Sequence, residues 1–597
     1  MKRLLILSCP NKSTEDDRFS TLAGLMGVST EVLPFANTIG ALQDLLGRAR
    51  AGNFSLAMHM ATLGRLHSES NAGNALLQTL DSRFQEVLVY GATTSAEINT
   101  ALAGLTDGAV HSITSKPAQA VRYSFAHGAR ALCAQLARQN VVINRGHSAF
   151  ALKARSGTES VEAILTANGQ PMFLRFKTPV RDVFLYAGEM PDIDKPLGQD
   201  TGLGDDDCIQ LLPPLIFLRH CFRESCWKGP ETTARLIIDD PILTRTYGAL
   251  DFDNLKASMR RFGYGTSIAF IPWNYWRTSG RTASLLFGDG SNLSICVHGC
   301  DHTNREFASV DETVLTQKAA LGIERMRRHE KRAGVPFEDV MVFPQGKFSR
   351  AAIPALRKTN YLAGVNTSCL PTDSAPDDLR ISDLLWPAVT RFDGFPIFLR
   401  RYPRNLFGFA LDLYLGKPAL LVEHHEFFRD GCKAIEEFIA GLQEIEPGLS
   451  WPSLTTQLMQ SNLRRRLDCG YTEVRFFTRR FHLVPCEGEQ GRYVLSKPEP
   501  DSSIIQKVVV NGKSTPFGFE NGCLKFEIES EMGQVNTVEI IDQAAPFAAR
   551  SFGFAYNTRV FIRRGLSEFR DNTLSHHRGA LKMATRFVKT IKATGDS

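Results

Sequence analysis

The sequence predicts an α/β protein whose central region forms one barrel of parallel strands surrounded by helices. Seven short apolar runs alternate with helix-compatible segments between about residues 208 and 460, the pattern of strands joined by crossover helices. Apolar residues make up 43% of the chain and charged residues 22%, as in ordinary globular proteins. At 597 residues the chain is about four times a typical domain of roughly 150 residues, which predicts further domains on both sides of the barrel.

Residues 1–138 are predicted to form an α/β Rossmann-like domain. Apolar runs alternate there with helix-compatible stretches such as residues 40–50, which indicates parallel strands with crossover helices. The turn at residues 91–94 lacks the glycine fingerprint of dinucleotide-binding loops, which favours a structural turn over a ligand site. The four runs are residues 4–7, 30–34, 55–60 and 86–90.

Residues 139–200 are predicted to form a small β module and a linker, because short apolar runs alternate with glycine and proline turn signals. The barrel itself is assigned to residues 208–460. Its predicted strands are residues 235–238, 267–271, 293–297, 340–343, 362–366, 396–400 and 419–422. Its predicted helices are residues 253–262, 311–332, 349–359 and 432–445.

The C-terminal part is predicted to be a β-sandwich-like domain over residues 465–547, followed by a basic helical tail over residues 550–597. The pairs Asn511-Gly512 and Asn521-Gly522 are typical of two-residue hairpin turns. Between residues 578 and 592 apolar residues recur at spacings of three and four among basic residues, which predicts an amphipathic helix. Such helices more often pack against their own protein. We nevertheless consider peripheral contact of this tail with an anionic membrane.

The net charge, the apolar runs and the cysteines of the chain indicate which partners and which location to expect. The 69 Lys and Arg residues exceed the 63 Asp and Glu residues by only six, which disfavours a nucleic-acid partner. The apolar run at residues 4–7 is too short for a signal-peptide core, and no run reaches the roughly 18 apolar residues of a transmembrane helix. With twelve scattered cysteines, these features predict a reducing, cytoplasmic location. The sequence makes no prediction of the oligomeric state.

Unusual polar groups stand at the ends of four of the predicted barrel strands, and the strand at residues 340–343 is followed by Pro344-Gln345-Gly346. Asp239 and Asp240 end the first strand, and His298 and His302 follow the third in a His-x-x-x-His pattern. His424 and His425 follow the last strand. Taken singly, each motif also has a structural interpretation, since aspartates cap turns and histidines fill cores. Together they predict a site, because barrel strands collect reactive groups at their C-terminal ends.

The chemistry of these groups favours a hydrolytic metal site. Two neutral imidazoles and one carboxylate bind a divalent ion while leaving positions open for water and substrate, so Asp240, His298 and His302 are the candidate ligands. Asp239 is the candidate base that takes the proton of the water. Either His424 or His425 is the candidate acid that protonates a departing amine.

The order of these motifs resembles the polysaccharide deacetylase family, the carbohydrate esterases with a NodB-homology domain, over about residues 225–460. The resemblance implies a distorted (β/α)7 barrel, Asp239 as catalytic base, and Asp240 with the two spaced histidines as ligands of a divalent metal, with zinc as the expected ion. It also implies removal of an N-acetyl or similar acyl group from a sugar. Phe343-Pro344 matches the third motif of the family, and His424 follows its strand at the family's spacing.

Two features depart from the family pattern. The arginine that normally precedes the proline of the third motif is replaced by Val342 and Phe343, and the Asp-and-Trp motif is met only loosely by Asp383 and Trp386. We therefore carry two hypotheses. The first is a deacetylase acting on a lipid- or nucleotide-linked sugar in polysaccharide or glycolipid biosynthesis. The alternative is a non-catalytic carbohydrate-binding or scaffold protein that retains the barrel.

Overall fold

Seven parallel strands form the central sheet in the computed structural model of the protein, which confirms the predicted α/β barrel class. Arg401 bridges the two outermost strands: its N–H donates to the Leu420 carbonyl at 2.8 Å, and the Val422 N–H donates to the Arg401 carbonyl at 2.9 Å. The sheet is therefore nearly closed. In spatial order the strands are Ile397–Leu399, Ala363–Asn366, Glu338–Val342, Leu293–His298, Thr266–Phe270, Ala234–Asp239 and Ala419–His424.

The structure describes residues 2–8, 14–34, 54–68, 84–144, 147–155, 157–198, 203–288, 290–489, 491–543, 547 and 549–572. The helix-compatible stretch at residues 40–50 and the amphipathic segment at residues 578–592 lie outside these residues. The chain divides into two units. The first comprises Met1–Gly229, Leu379–Leu385 and Leu463–Val474, and the second comprises Pro230–Asp378, Trp386–Asn462 and Arg475–Ser597.

The barrel helices begin and end at residues suited to those positions. Asp251 accepts a hydrogen bond from the Asn254 N–H and so caps the helix that follows it. Asp311 caps the longest barrel helix, which ends at Gly334 with φ +72°, a conformation that glycine adopts without strain. The helices of this region are Phe252–Phe262, Gly280–Phe287, Glu312–Ala333, Ala352–Lys358, Leu406–Tyr414, Lys433–Ile445 and Leu454–Gln460.

Apolar side chains fill the barrel, and a polar network occupies the N-terminal ends of its strands. Ile237, Ala269 and Val342 are fully buried members of the barrel core. Near the strand starts, the buried Arg235 donates to Ser267 Oγ and Ser294 Oγ, and both hydroxyls also donate to the Glu338 carboxylate. The charged groups at this end therefore have partners, and the opposite, C-terminal end is left for the polar residues described below.

The first unit contains a mixed nine-stranded sheet. Its order is Thr30–Pro34, Arg3–Ser8, Phe54–His59, Glu86–Tyr90, Asp182–Tyr186, Gln170–Lys177, Val161–Ala167, Val121–Phe125 and Asn140–Ile143. The first five strands pair in parallel and the others in antiparallel fashion. The predicted division between residues 1–138 and 139–200 thus separates strands that hydrogen-bond to one another. The other elements of this unit are the paired strands Val110–Ala118 and His147–Ala154 and the helices Thr14–Leu25, Met60–Ser68, Ala96–Leu105, Arg130–Cys133 and Asp205–Phe222.

The C-terminal region is rich in β structure, as the sequence predicted. The Asn511-Gly512 and Asn521-Gly522 pairs both have positive φ, so each forms a tight turn between antiparallel strands. The strands are Asn462–Arg466, Thr472–Phe476, Arg480–Leu483, Arg492–Pro498, Ile505–Val510, Lys513–Thr515, Gly518–Glu520, Cys523–Glu529 and Asn536–Asp542. The helix Phe554–Asn572 follows them. Among the described residues, no helix has both the length and the apolar character needed to cross a bilayer.

Candidate metal centre

Three candidate ligands converge at the C-terminal end of the barrel. Asp240 Oδ1 lies 3.4 Å from His298 Nε2 and 3.1 Å from His302 Nε2. The donor atoms of these three residues all lie within 4.8 Å of one another, and no other group of this kind occurs in the part of the chain that the structure describes. Strands of one sheet carry the aspartate and the first histidine to one edge of the barrel, as the sequence predicted for strand ends.

Local backbone conformation turns these side chains toward one another. Asp240 has φ +83° and His302 has φ +54°, both in the left-handed region that costs a non-glycine residue roughly 1–3 kcal/mol. Gly299 has φ +65°, and a Cβ there would lie 2.4 Å from Pro344 Cγ. Only glycine therefore fits between the first histidine and the proline of the third motif.

The donor set fits a divalent cation. Nδ1 of the buried His298 donates to the Val342 carbonyl at 2.9 Å, which leaves the Nε2 lone pair directed at Asp240. Burial lowers the pKa of His302 to about 4, so its imidazole is neutral at pH 7. Asp240 Oδ1 is buried and accepts no hydrogen bond of good geometry from any described residue. The Nε2 lone pair of His298 repels the carboxylate oxygen that it faces unless a cation lies between them, and two histidines with one carboxylate suit zinc and similar ions.

Asp239 is held by an arginine that sequence analysis did not identify. Arg400 Nη1 and Nη2 donate to Asp239 Oδ1 and Oδ2 at 2.6 and 2.8 Å, and both side chains are buried. Burial raises the pKa of Asp239, but the Arg400 guanidinium outweighs it and holds that pKa below the ordinary value. Arg400 follows the strand Ile397–Leu399, one position from the Arg401 bridge that links the outer strands. Asp239 is therefore paired with an arginine although Val342 and Phe343 precede the proline of the third motif.

The side chains of the adjacent residues His424 and His425 lie in different environments. His424 Nδ1 lies 3.8 Å from Asp240 Oδ2, and its side chain is 45% exposed. The neighbouring Asp240 carboxylate raises the pKa of His424 despite partial burial. His425 is buried edge-on against the Tyr247 ring, 5.1 Å between centroids, and burial lowers its pKa. His424 is thus the one beside the candidate ligands.

Glu306 supports the loop that carries the two spaced histidines. Its buried carboxylate accepts hydrogen bonds from the backbone N–H groups of Cys300, Asp301 and His302 at 2.9–3.1 Å. Lys318 Nζ lies 3.4 Å from Glu306 Oε1. One carboxylate therefore fixes three successive peptide groups next to the candidate ligands. The sequence carries no motif that marks this glutamate.

The two cysteines next to His298 in the sequence, and the residues that match the remaining family motifs, lie outside the ligand cluster. Cys296 and Cys300 are buried thiols with raised pKa values, and neither belongs to the ligand cluster. Phe343 stacks on the Phe348 ring at 4.6 Å. Asp383 accepts a hydrogen bond from the Arg380 N–H beside its own short helix, and the Trp386 ring lies under the Arg475 guanidinium. The ligand cluster therefore forms without the Asp-and-Trp pair.

The helix Phe554–Asn572 packs over this end of the barrel, a contact that sequence analysis did not anticipate. The Tyr556 hydroxyl donates to Asp301 Oδ2 at 2.7 Å, between the two candidate histidine ligands in sequence. At the other end of the helix, the Tyr247 hydroxyl donates to Asp571 Oδ2 at 3.0 Å. Asp301 also accepts from Arg325 Nη1 at 2.6 Å. The site is thus built from the barrel strand ends and from this helix.

The chain resembles solved structures of carbohydrate deacetylases and esterases. The carbohydrate deacetylase Agd3 matches at 9% identity with a TM-score of 0.45, over 91% of this chain and 99% of Agd3. The family 4 carbohydrate esterase from Streptomyces lividans matches at 12% identity and a TM-score of 0.24, over 38% of this chain and 93% of the esterase. A CE4 esterase from Streptococcus mutans matches at 10% identity and a TM-score of 0.24, over 38% of this chain and 87% of the esterase. No protein-family model and no curated protein sequence matches the chain.

Proposed function

We propose that this protein is a metal-dependent deacetylase, an amide hydrolase that removes an N-acetyl or similar acyl group from a sugar. The observation that carries the proposal is the convergence of Asp240, His298 and His302, with the Asp239–Arg400 pair and His424 beside them. We propose zinc as the ion, because two imidazoles and a carboxylate form a common catalytic zinc site.

The surrounding groups can supply the proton transfers of amide hydrolysis. A bound divalent ion lowers the pKa of its water and polarises the acyl carbonyl. Arg400 keeps Asp239 ionised, so Asp239 can accept a proton from an attacking water. The raised pKa of His424 favours its imidazolium form, which can donate a proton to the departing amine. His425, directed at Tyr247, is proposed as a packing residue, although the sequence left it as an alternative acid.

We propose a lipid- or nucleotide-linked sugar of polysaccharide or glycolipid biosynthesis as the substrate, met in the cytoplasm. The eleven described cysteines form no disulfide, which supports a reducing compartment. Peripheral membrane contact is supported by apolar side chains exposed on the helix Phe554–Asn572 beside Arg559 and Arg563, since such a face suits an anionic bilayer surface. The exposed apolar residues are Phe554, Phe561, Ile562, Leu566 and Phe569.

A non-catalytic carbohydrate-binding protein is the second hypothesis. Its two motivations are the absence of the third-motif arginine and the additional domains of the chain. Because Arg400 forms a two-point ion pair with Asp239 from another strand end, that absence no longer favours a loss of turnover.

Metal content and acetate release test the proposal together. Purified protein is expected to hold one zinc ion per chain and to release acetate from at least one member of a panel of N-acetylated sugars. His298→Ala should lose the metal and the activity, whereas His482→Ala, a control in the C-terminal strands, should keep both. Unchanged metal stoichiometry in His298→Ala would show that the ligand assignment is wrong.

Asp239→Asn tests the base separately from the metal. The amide cannot accept the proton of the water, so we expect acetate release to fall by about 10²–10⁴-fold with metal content unchanged. Wild-type turnover by this variant would remove Asp239 from the mechanism.

A further inference from the structure

Arg564 places a buried positive charge on the helix that packs over the candidate metal centre. Only 4% of the residue is exposed. Its Nε and Nη2 atoms are buried and donate no hydrogen bond to any residue that the structure describes. A buried guanidinium without partners at these atoms is costly, because desolvation of a charge requires compensation by hydrogen bonds or an opposite charge.

The position of Arg564 follows from the two contacts that hold the helix. Tyr556 reaches Asp301, next to His302, and Asp571 reaches Tyr247, while the Gly248 N–H donates to Asn572 Oδ1 at 2.8 Å. Arg564 lies eight residues after Tyr556 and seven before Asp571, so helical periodicity places all three on one face. Arg564 therefore lies between the two contacts, on the buried side of the helix that packs over this end of the barrel.

Electrostatic effects agree with this placement. Burial raises the pKa of Tyr247, and the charge of the nearby Arg564 opposes that rise. A guanidinium at this end of the barrel would repel a divalent cation bound there, because both groups are positively charged. The arrangement is favourable when an anion lies against the guanidinium.

We propose that Arg564 binds an oxyanion, a carboxylate or a phosphate, carried by the acylated sugar. The planar fork of N–H donors matches either group in a two-point contact. This inference rests on the proposed function and deepens it, because it makes the substrate an anionic N-acyl sugar. A phosphate-linked sugar and an acidic sugar both present this chemistry.

Binding measurements on the full chain test the inference without turnover. We would titrate N-acetylglucosamine, N-acetylglucosamine 1-phosphate and N-acetylmuramic acid into metal-free and zinc-loaded protein by calorimetry. Wild type should bind at least one of the two anionic sugars about 10–100-fold more tightly than the neutral sugar, as a charged hydrogen-bonded contact provides. The preferred probe then distinguishes phosphate from carboxylate.

Three variants complete the test. Arg564→Gln should lose the preference while binding the neutral sugar as before, and Arg563→Gln, the partly exposed neighbour, should keep it. Arg564→Met removes the charge but keeps a long side chain. This variant should raise the thermal midpoint of the ligand-free protein. A merely structural arginine would lower that midpoint.

Two results would overturn the inference: equal affinity of wild type for all three sugars, or an unchanged preference in both the Gln and Met variants. Its failure is distinct from failure of the proposed function. Preference for the anionic sugars without acetate release would support Arg564 as an anion site and contradict the proposed deacetylase activity. Acetate release without that preference would support the deacetylase activity and contradict the role of Arg564.

Discussion

A single ion pair sets the protonation state of the proposed base. Burial alone would raise the pKa of Asp239, and the charge of Arg400 reverses that effect. Both oxygens of the carboxylate accept from the guanidinium, so Arg400 fixes the orientation as well as the charge. The low pKa makes Asp239 a weak base, which suits a strongly acidified water such as one bound to a metal.

Replacement of Arg400 is therefore expected to change the pH dependence of activity. In Arg400→Gln the pKa of Asp239 rises, so the acidic limb of the kcat/KM profile should move to higher pH, with a larger loss at pH 6 than at pH 9. Arg400→Lys should move the limb less, because the charge remains. Arg401→Gln is the matched control, since Arg401 pairs with Asp412 instead. An acidic limb that stays in place in Arg400→Gln would contradict the assignment of Asp239.

The two adjacent histidines should separate activity from stability. His424→Ala is expected to lower kcat by about 10²–10⁴-fold with little change in thermal midpoint, because its side chain is nearly half exposed and lies beside Asp240. His425→Ala is expected to lower the thermal midpoint, because it removes a buried ring from Tyr247. Acetate release and thermal unfolding measured on both variants check this. A reversed pattern would make His425 the acid.

At the scale of elements, one buried carboxylate positions the loop of the candidate ligands. Glu306→Gln would turn an amide group toward backbone N–H donors and leave at least one of them unpaired. We expect a loss of zinc affinity of about 10–100-fold, the usual effect of changing a group that supports a ligand. Competition with a chromophoric chelator measures it. The exposed Glu330→Gln provides the control, and equal affinity in both variants would show that Glu306 has no such role.

The sequence predicted the strands of the barrel better than the groups that surround its site. All seven strands lie within two residues of the predicted bounds, because each is a buried apolar run between turn signals. Arg400 escaped detection because its pairing with Asp239 depends on closure of the barrel across strands far apart in sequence. Glu306 and Arg564 belong to no motif. The sequence of the helix Phe554–Asn572 does not indicate which surface the helix packs against.

Across the whole barrel-containing unit, a buried charge cluster joins the helix Ala352–Lys358 to the C-terminal strands. Arg357 Nη1 and Lys497 Nζ lie 2.7 and 2.9 Å from opposite oxygens of Glu499. Arg357 Nε also lies 2.7 Å from Asp542 Oδ2, and Arg479 pairs with the same carboxylate. Because the cations converge on two carboxylates, removal of one carboxylate leaves buried positive charge uncompensated.

Glu499→Gln is therefore expected to destabilise this unit by about 3–5 kcal/mol at pH 7, the usual cost of breaking a buried ion pair. Burial raises the pKa of Glu499, but Lys497 and Arg357 outweigh it and hold the pKa below the ordinary 4.5. The stabilisation is thus complete above pH 4.5 and is lost as the pH falls through the lower, folded-state value. Urea unfolding of wild type and variant from pH 7 to pH 3 should show their difference in unfolding free energy narrowing toward the acidic end. The exposed Glu527→Gln should match wild type throughout, and a constant difference between wild type and Glu499→Gln would show that its charge is not the stabilising feature.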